Sequence, residues 1–157
     1  MSKKRFLVVA GFAESLLGFR APLISALQSN GVEVHVAAPD LARGSPWREC
    51  LEENKLIVHD IPLQRTGQNP MSDIKSLLAL WDLMRCIRPE YMLGYTIKPV
   101  IYGTLAGWLA GVPHRFALIT GLGYAFQGEA SAGEKQQRGF LKALVQRLYG
   151  LALRGAH

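Results

Sequence analysis

Along this 157-residue chain, apolar runs with β-branched residues alternate with stretches of helical periodicity. Residues 6–10 form an unbroken apolar run stopped by Gly11, the pattern of a strand buried on both faces. Leu16, Phe19, Leu23, Ile24 and Leu27 then recur at helical spacing, which predicts a helix from a Ser15 cap to about Ser29, with Asn30-Gly31 as its stop. Pro22 falls early in that segment, so a later start near Gly18 or a bend is expected there. Residues 32–38 read as a second strand, and Ser45-Pro46 opens a short helix to Asn54 in the N-cap plus proline-at-N1 arrangement. Residues 56–61 form a third strand, and 63–70 a loop rich in Gly, Gln, Asn and Thr. A helix starting at Asn69-Pro70 carries Ile74, Leu77, Leu78, Trp81 and Met84 on one face and ends at Arg88-Pro89. Residues 91–94 are a fourth strand. Lys98-Pro99 opens an almost wholly apolar helix to Gly111, and residues 115–120 are a fifth strand. A glycine-rich loop over 121–133 leads into an amphipathic basic helix over 134–155. The predicted fold is α/β: one Rossmann-like, doubly wound, mainly parallel sheet of about five or more strands, covered on both faces.

Composition narrows the function. Hydrophobic residues make up 49% of the chain and charged ones 19%, which excludes a disordered polypeptide. The formal charge of +6 invites a polyanion, yet its distribution argues against nucleic acid. Residues 6–133 hold ten basic side chains against eleven acidic ones, so the excess sits at the two ends. A duplex-binding groove needs basic residues through the body of the domain. Cys50 and Cys86 have neither zinc-ligand spacing nor a disulfide framework around them, and a reduced cytoplasmic setting is expected. The longest uncharged run, 99–114, is too short to span a bilayer, for which about 20 residues are needed.

In an open α/β sheet, ligands bind beyond the carboxyl ends of the strands, so the loops there hold the candidate chemistry. The loop after the first strand, Gly11-Phe12-Ala13-Glu14-Ser15, has one glycine and lacks the dinucleotide fingerprint. It still allows close backbone approach of a ligand to a helix N-terminus. After the fourth strand comes Thr96-Ile97-Lys98-Pro99. Lys98 is a lone cation near a helix start, where the macrodipole disfavours it, so either an anionic partner or snorkelling to water must satisfy it. Arg20 is similarly set among apolar residues, with a ligand or an ion pair to Glu14 as the two explanations. Thr120-Gly121-Leu122-Gly123 forms a sharp turn able to aim N–H groups at a ligand. The four histidines are read as structural or exposed, and neither a hydrolytic triad nor a metal-ligand cluster is found.

Taken in order, several segments resemble the amino-terminal half of a retaining family 4 type glycosyltransferase with the GT-B fold. They are residues 15–23, 31–36, Arg65-Thr66-Gly67-Gln68-Asn69-Pro70, 95–103, 111–115 and 120–124. The similarity covers nearly the whole chain and is strongest to the branch that builds capsule and lipopolysaccharide. It implies an acceptor-binding domain that lacks a carboxy-terminal donor-binding partner and is inactive alone, needing neither metal nor cofactor. The substrates implied are a nucleotide-sugar and a lipid-linked, polyprenyl-diphosphate saccharide. Gly11, Phe12, Ser15, Arg20, Asn69, Thr96, Lys98, Thr120, Gly121 and Gly123 would then line the substrate site. Many relatives carry a His or an acidic residue near the fourth or fifth strand loop, where this chain has Lys98 and Thr120, so the resemblance names no catalytic base. The polar arc of the terminal helix, with Lys135, Arg138, Lys142 and Arg147, would face an anionic membrane at the inner side of the cytoplasmic membrane. The competing readings are a non-catalytic α/β binding module for a phosphorylated metabolite and a membrane-surface subunit.

Overall fold

A computed structural model describes residues 3–64 and 70–119, together with Arg147 and Gly150. Ten elements follow in chain order: β1 (Arg5–Val9), α1 (Glu14–Leu17), α2 (Ala21–Ser29), β2 (Glu33–Ala38), α3 (Pro46–Glu53), β3 (Ile57–Asp60), α4 (Pro70–Ile87), β4 (Tyr91–Tyr95), α5 (Ile97–Leu109) and β5 (His114–Leu118). The strands form one parallel sheet in the order β3-β2-β1-β4-β5. The doubly wound sheet expected from the alternating pattern is what forms.

Its register explains the unbroken apolar runs. Val8 lies opposite Val36 on one side and Leu93 on the other. Odd and even positions of β1 face different helical layers, so both must be apolar. Phe6, Val8, Val36, Leu93 and Tyr95 pack with Leu16, Ile24, Leu41 and Leu51 under α1, α2 and α3. Leu7, Val9, Ala37 and Met92 pack with Leu80, Met84, Ile87 and Ala106 under α4 and α5. Each of these large side chains contributes about 1.5–3 kcal/mol by leaving water. β5 alternates between exposed and half-buried positions, as expected of the edge strand it forms among the described residues.

Three local features depart from the expectation. The first predicted helix is two helices, broken over Gly18, Phe19 and Arg20. Pro22 sits in the first turn of α2, where its missing N–H costs nothing; in one continuous helix its ring would strike the carbonyl of residue 18. Ser15 consequently caps no helix and is buried within α1. Ser45 does hold the N-cap backbone position of α3, but its hydroxyl donates to the Asp40 carbonyl at 2.9 Å. β5 begins at His114 and ends at Leu118, two residues short of the predicted end.

Candidate functional site

From β1 the chain winds outward through β2 to β3, and after β4 it winds the other way to β5. The reversal falls between β1 and β4, and it is beyond the carboxyl ends at such a reversal that open α/β sheets form their ligand crevice. Two loops meet there. A Cβ added at Gly11 would lie 2.7 Å from Thr96 Oγ1, so only glycine lets the first loop come this close to the fourth. Thr96, the N-cap of α5, has φ 68° and ψ 165°, a region that glycine alone visits freely. Holding threonine there costs about 1–3 kcal/mol, strain of the kind that clusters at functional sites. Its side chain makes no capping bond, so the first N–H groups of α5 have no side-chain acceptor on their own helix.

On the face covered by α1 and α2, a buried polar chain closes the crevice. Ser15 Oγ donates to the Phe12 carbonyl at 2.7 Å and, with its one proton so used, accepts from the Tyr95 hydroxyl at 2.7 Å. Burial raises the Tyr95 pKa, with the Ser15 bond and the Arg20 charge working the other way. The Arg20 guanidinium lies 4.7 Å from the centre of the Tyr95 ring, a cation–π contact, and not against Glu14. Its Nε is buried with no hydrogen-bond partner among the described residues.

The other cation is held on the opposite face. Lys98, the second residue of α5, places Nζ 2.8 Å from Asp73 Oδ1 in the first turn of α4; the two side chains are 16% and 22% exposed. Tyr102, one turn after Lys98, feels the same carboxylate. Its pKa is pushed up by burial first and then by the Asp73 charge. The structure therefore joins Gly11 to Thr96 and groups Phe12, Ser15 and Arg20 around Tyr95, but it sets Arg20 and Lys98 on different faces of the sheet. Asn69, Thr120, Gly121, Gly123, Lys135, Arg138 and Lys142 lie outside the described residues, and Arg147 is helical and exposed.

Tyr95, Asp73 and Tyr102 were not among the residues expected here. The sequence signal for Asp73 was Lys98 itself, a cation at a helix start that requires an anion. Among the described residues no group of three or more His, Cys, Asp or Glu is arranged to hold a metal ion, and no helix is long and apolar enough to cross a membrane. A cavity of about 360 Å³ lined by Met84, Arg88, Glu90, Val112 and Pro113 precedes β4 and β5, so it opens at the sheet end away from the crevice.

Residues 20–157 match the model of the glycosyl transferase 4-like domain. The chain belongs to that family. Within the family reading, it is 29% identical over 145 residues to the N,N'-diacetylbacillosaminyl-diphospho-undecaprenol alpha-1,3-N-acetylgalactosaminyltransferase of Campylobacter jejuni, covering 91% of this chain and 36% of that protein. Among solved structures, Acinetobacter baumannii MurG superposes with a TM-score of 0.59 at 15% identity, over 92% of this chain and 39% of that one. A UDP-N-acetylglucosamine 2-epimerase of Listeria monocytogenes, described as putative in its structure, gives 0.62 at 16% identity, over 97% and 38%. The glycosyl transferase 4-like chain thus has the Rossmann-like architecture of one half of a GT-B fold, and it spans less than two fifths of the length of these relatives.

Proposed function

We propose that this chain is the acceptor-binding, amino-terminal domain of a retaining glycosyltransferase that moves a sugar from a nucleotide-sugar to a lipid-linked, polyprenyl-diphosphate saccharide in surface glycan synthesis. The observation that carries the reading is similarity over 91% of the chain to a transferase named for an undecaprenol-diphosphate-linked sugar. The switch-point crevice supports it physically. Gly11 lets the first loop close onto Thr96 at the sheet's carboxyl edge, the α5 N-terminus offers N–H groups to an oxyanion, and Arg20 carries a buried N–H without an acceptor. Transfer with loss of a nucleoside diphosphate builds negative charge at the leaving oxygen. Fixed dipoles and cations stabilise that charge without a metal.

In this reading Arg20 and Lys98 meet the acceptor's phosphate or carboxylate groups. A second domain supplies most of the donor site, so the 157 residues alone transfer nothing. The chain would work at the cytoplasmic face of the membrane, with Lys135, Arg138, Lys142 and Arg147 toward anionic lipid. Transfer to an extracted polyprenyl-diphosphate saccharide by the full-length protein tests the reading. Arg20→Ala should lower kcat/KM about 10- to 100-fold, the scale of one charge-assisted hydrogen bond. Unchanged transfer by both Arg20→Ala and Lys98→Ala, or turnover by the 157-residue chain alone, would refute it. Flotation with neutral and with anionic vesicles tests the membrane component, and equal binding to both refutes the electrostatic version.

A further inference from the structure

The apolar stripe of α4 is wider than the sheet can cover. Leu80 and Met84 pack against the strands with Leu77 beside them, yet Met71, Ile74 and Leu78 are 67%, 53% and 54% exposed. At about 100° per residue these three fall within an arc of about 60° on the outer side of the helix. We propose that this face of α4 is a lipid-contacting surface that seats the protein on a bilayer, with the crevice at the level of the headgroups. The proposal rests on the transferase reading only in taking the crevice to receive a lipid-linked diphosphate.

The order of side chains along the helix carries the argument. The exposed apolar residues occupy the first half of α4 only. Trp81 follows, with the Arg85 guanidinium 5.0 Å from its ring centre, and Asp82, Arg85, Cys86 and Arg88 are exposed along the second half and its end. Aliphatic side chains, then a tryptophan under an arginine, then charge is the order met in passing from acyl chains through the headgroups to water. Lys75, exposed next to Ile74, has a stem long enough to reach headgroups from among the apolar residues. No described helix is long and apolar enough to cross a membrane, so α4 would lie in the interface and not span it. Its place in the fold suits that role. Asp73, in the first turn of α4, is bonded to Lys98 at the start of α5, so the apolar end of the helix borders the carboxyl edge of the sheet. A lipid-linked acceptor keeps its diphosphate at the bilayer surface and its prenyl chain within, so the protein surface next to a diphosphate site must meet lipid. A second copy of the chain fits less well. Three side chains at half to two-thirds exposure, each smaller than the roughly 150–250 Å² of an aromatic one, fall well short of the roughly 800 Å² that each partner buries in a stable dimer.

The test is flotation of the full-length protein with neutral phosphatidylcholine vesicles and with vesicles that also contain anionic phosphatidylglycerol. Ile74→Ser combined with Leu78→Ser should weaken binding about 10- to 100-fold on both kinds, because apolar contact is lost whatever the headgroup charge. Replacing Lys135, Arg138, Lys142 and Arg147 by glutamine would act on the anionic vesicles alone, which separates the two surfaces. Trp108→Ser changes a residue 61% exposed near the far end of α5 and should leave binding unchanged. In a Trp47→Phe, Trp108→Phe background, Trp81 fluorescence should be quenched more by lipids brominated near the headgroup than by lipids brominated near the chain end. A thermal midpoint for each variant reports folding separately. Wild type that does not float, a double variant that floats like wild type, an equal loss in Trp108→Ser, or absence of Trp81 quenching overturns the proposal. So does a wild-type dimer that the double variant dissociates with vesicle binding unchanged, which assigns the face to a second copy. Transfer to a water-soluble, short-chain prenyl-diphosphate saccharide judges the transferase reading separately, and the double variant should retain it. If wild type fails that transfer the transferase reading falls, and flotation still decides the lipid surface.

Discussion

Gly94 is where the fold and the crevice are most tightly bound together, and replacing it by alanine tests the geometry of both. An added Cβ would lie 2.6 Å from the Pro99 carbonyl oxygen, 3.0 Å from its carbon and 3.2 Å from Val100 Cα. All three atoms are backbone, in the first turn of a helix packed onto the strand, so no rotamer change relieves the contact. Moving the oxygen out from 2.6 Å to even the 3.0 Å below which real Cβ contacts essentially never fall shifts the start of α5 by about 0.4 Å. Overpacking of this kind costs about 1–3 kcal/mol, which for a chain of this size lowers Tm by about 2–10 °C. Gly103→Ala is the internal control. There the closest atom is Met92 Cε at 2.9 Å, the end of a flexible thioether, and alanine gains about 0.5–1 kcal/mol over glycine within a helix. The expected result is a clear loss for Gly94→Ala and a change within about 0.5 kcal/mol for Gly103→Ala, measured by urea unfolding of the chain. Equal stability of Gly94→Ala and wild type, or equal losses for the two variants, would refute the packing argument.

The other variants probe single interactions. Ser15→Ala leaves the buried Tyr95 hydroxyl without its acceptor and should cost about 1–3 kcal/mol, with Tyr95→Phe added to it recovering part of the loss; a double variant less stable than Ser15→Ala would count against the bond. His59 is held neutral, its pKa lowered to about 4 by burial first, then by His35 and Arg48. The unfolded chain takes up this proton below its ordinary value of 6.5 and the folded chain only near 4, so the stability tied to His59 is full above 6.5 and is lost as pH falls toward 4. Urea unfolding at pH 7 and pH 4.5 should show a smaller difference for His59→Gln than for wild type, and an unchanged difference would refute this assignment.

Elements governed by local rules could be read from the chain, and contacts governed by tertiary packing could not. The runs at 6–10 and 32–38, the proline after Ser45 and the helical stripe from Ile74 to Met84 each carry a period or a cap that belongs to one kind of element, and all became that element. The break at Gly18–Arg20 was half visible: Pro22 announces an interruption, but that the helix stops instead of bending, with Arg20 over the Tyr95 ring, is seen only in the fold. Ser15 illustrates the limit more sharply. Its type and position suit a cap, yet its partner is a tyrosine 80 residues away that only the pairing of β1 with β4 brings near. Asp73 and Lys98 are likewise 25 residues apart, and nothing periodic links an acidic residue in one helix to a basic residue in the next. The crevice as a whole followed from topology, because a doubly wound sheet must reverse somewhere. Which side chains close it followed from packing.

The division of the two cations between faces constrains any ligand that uses both. Arg20 is tied to Tyr95, a residue of the core under α1 and α2, and Lys98 to Asp73 on α4, which covers the other side. A molecule that touches both must cross the carboxyl edge of β1 and β4, and the atoms it crosses belong to Gly11 and Thr96. Those two already approach so closely that one Cβ at residue 11 would overlap the threonine hydroxyl. A side chain there would either fill the path or push the two loops apart, and both outcomes separate the cations from a common ligand. Gly11→Ala in the full-length protein should therefore raise KM for the acceptor while costing less stability than Gly94→Ala, since Thr96 Oγ1 is a side-chain atom that can rotate away and the Pro99 carbonyl is not. A loss of stability as large as that of Gly94→Ala, with acceptor KM unchanged, would mean that Gly11 serves packing alone and that the two cations serve separate ends.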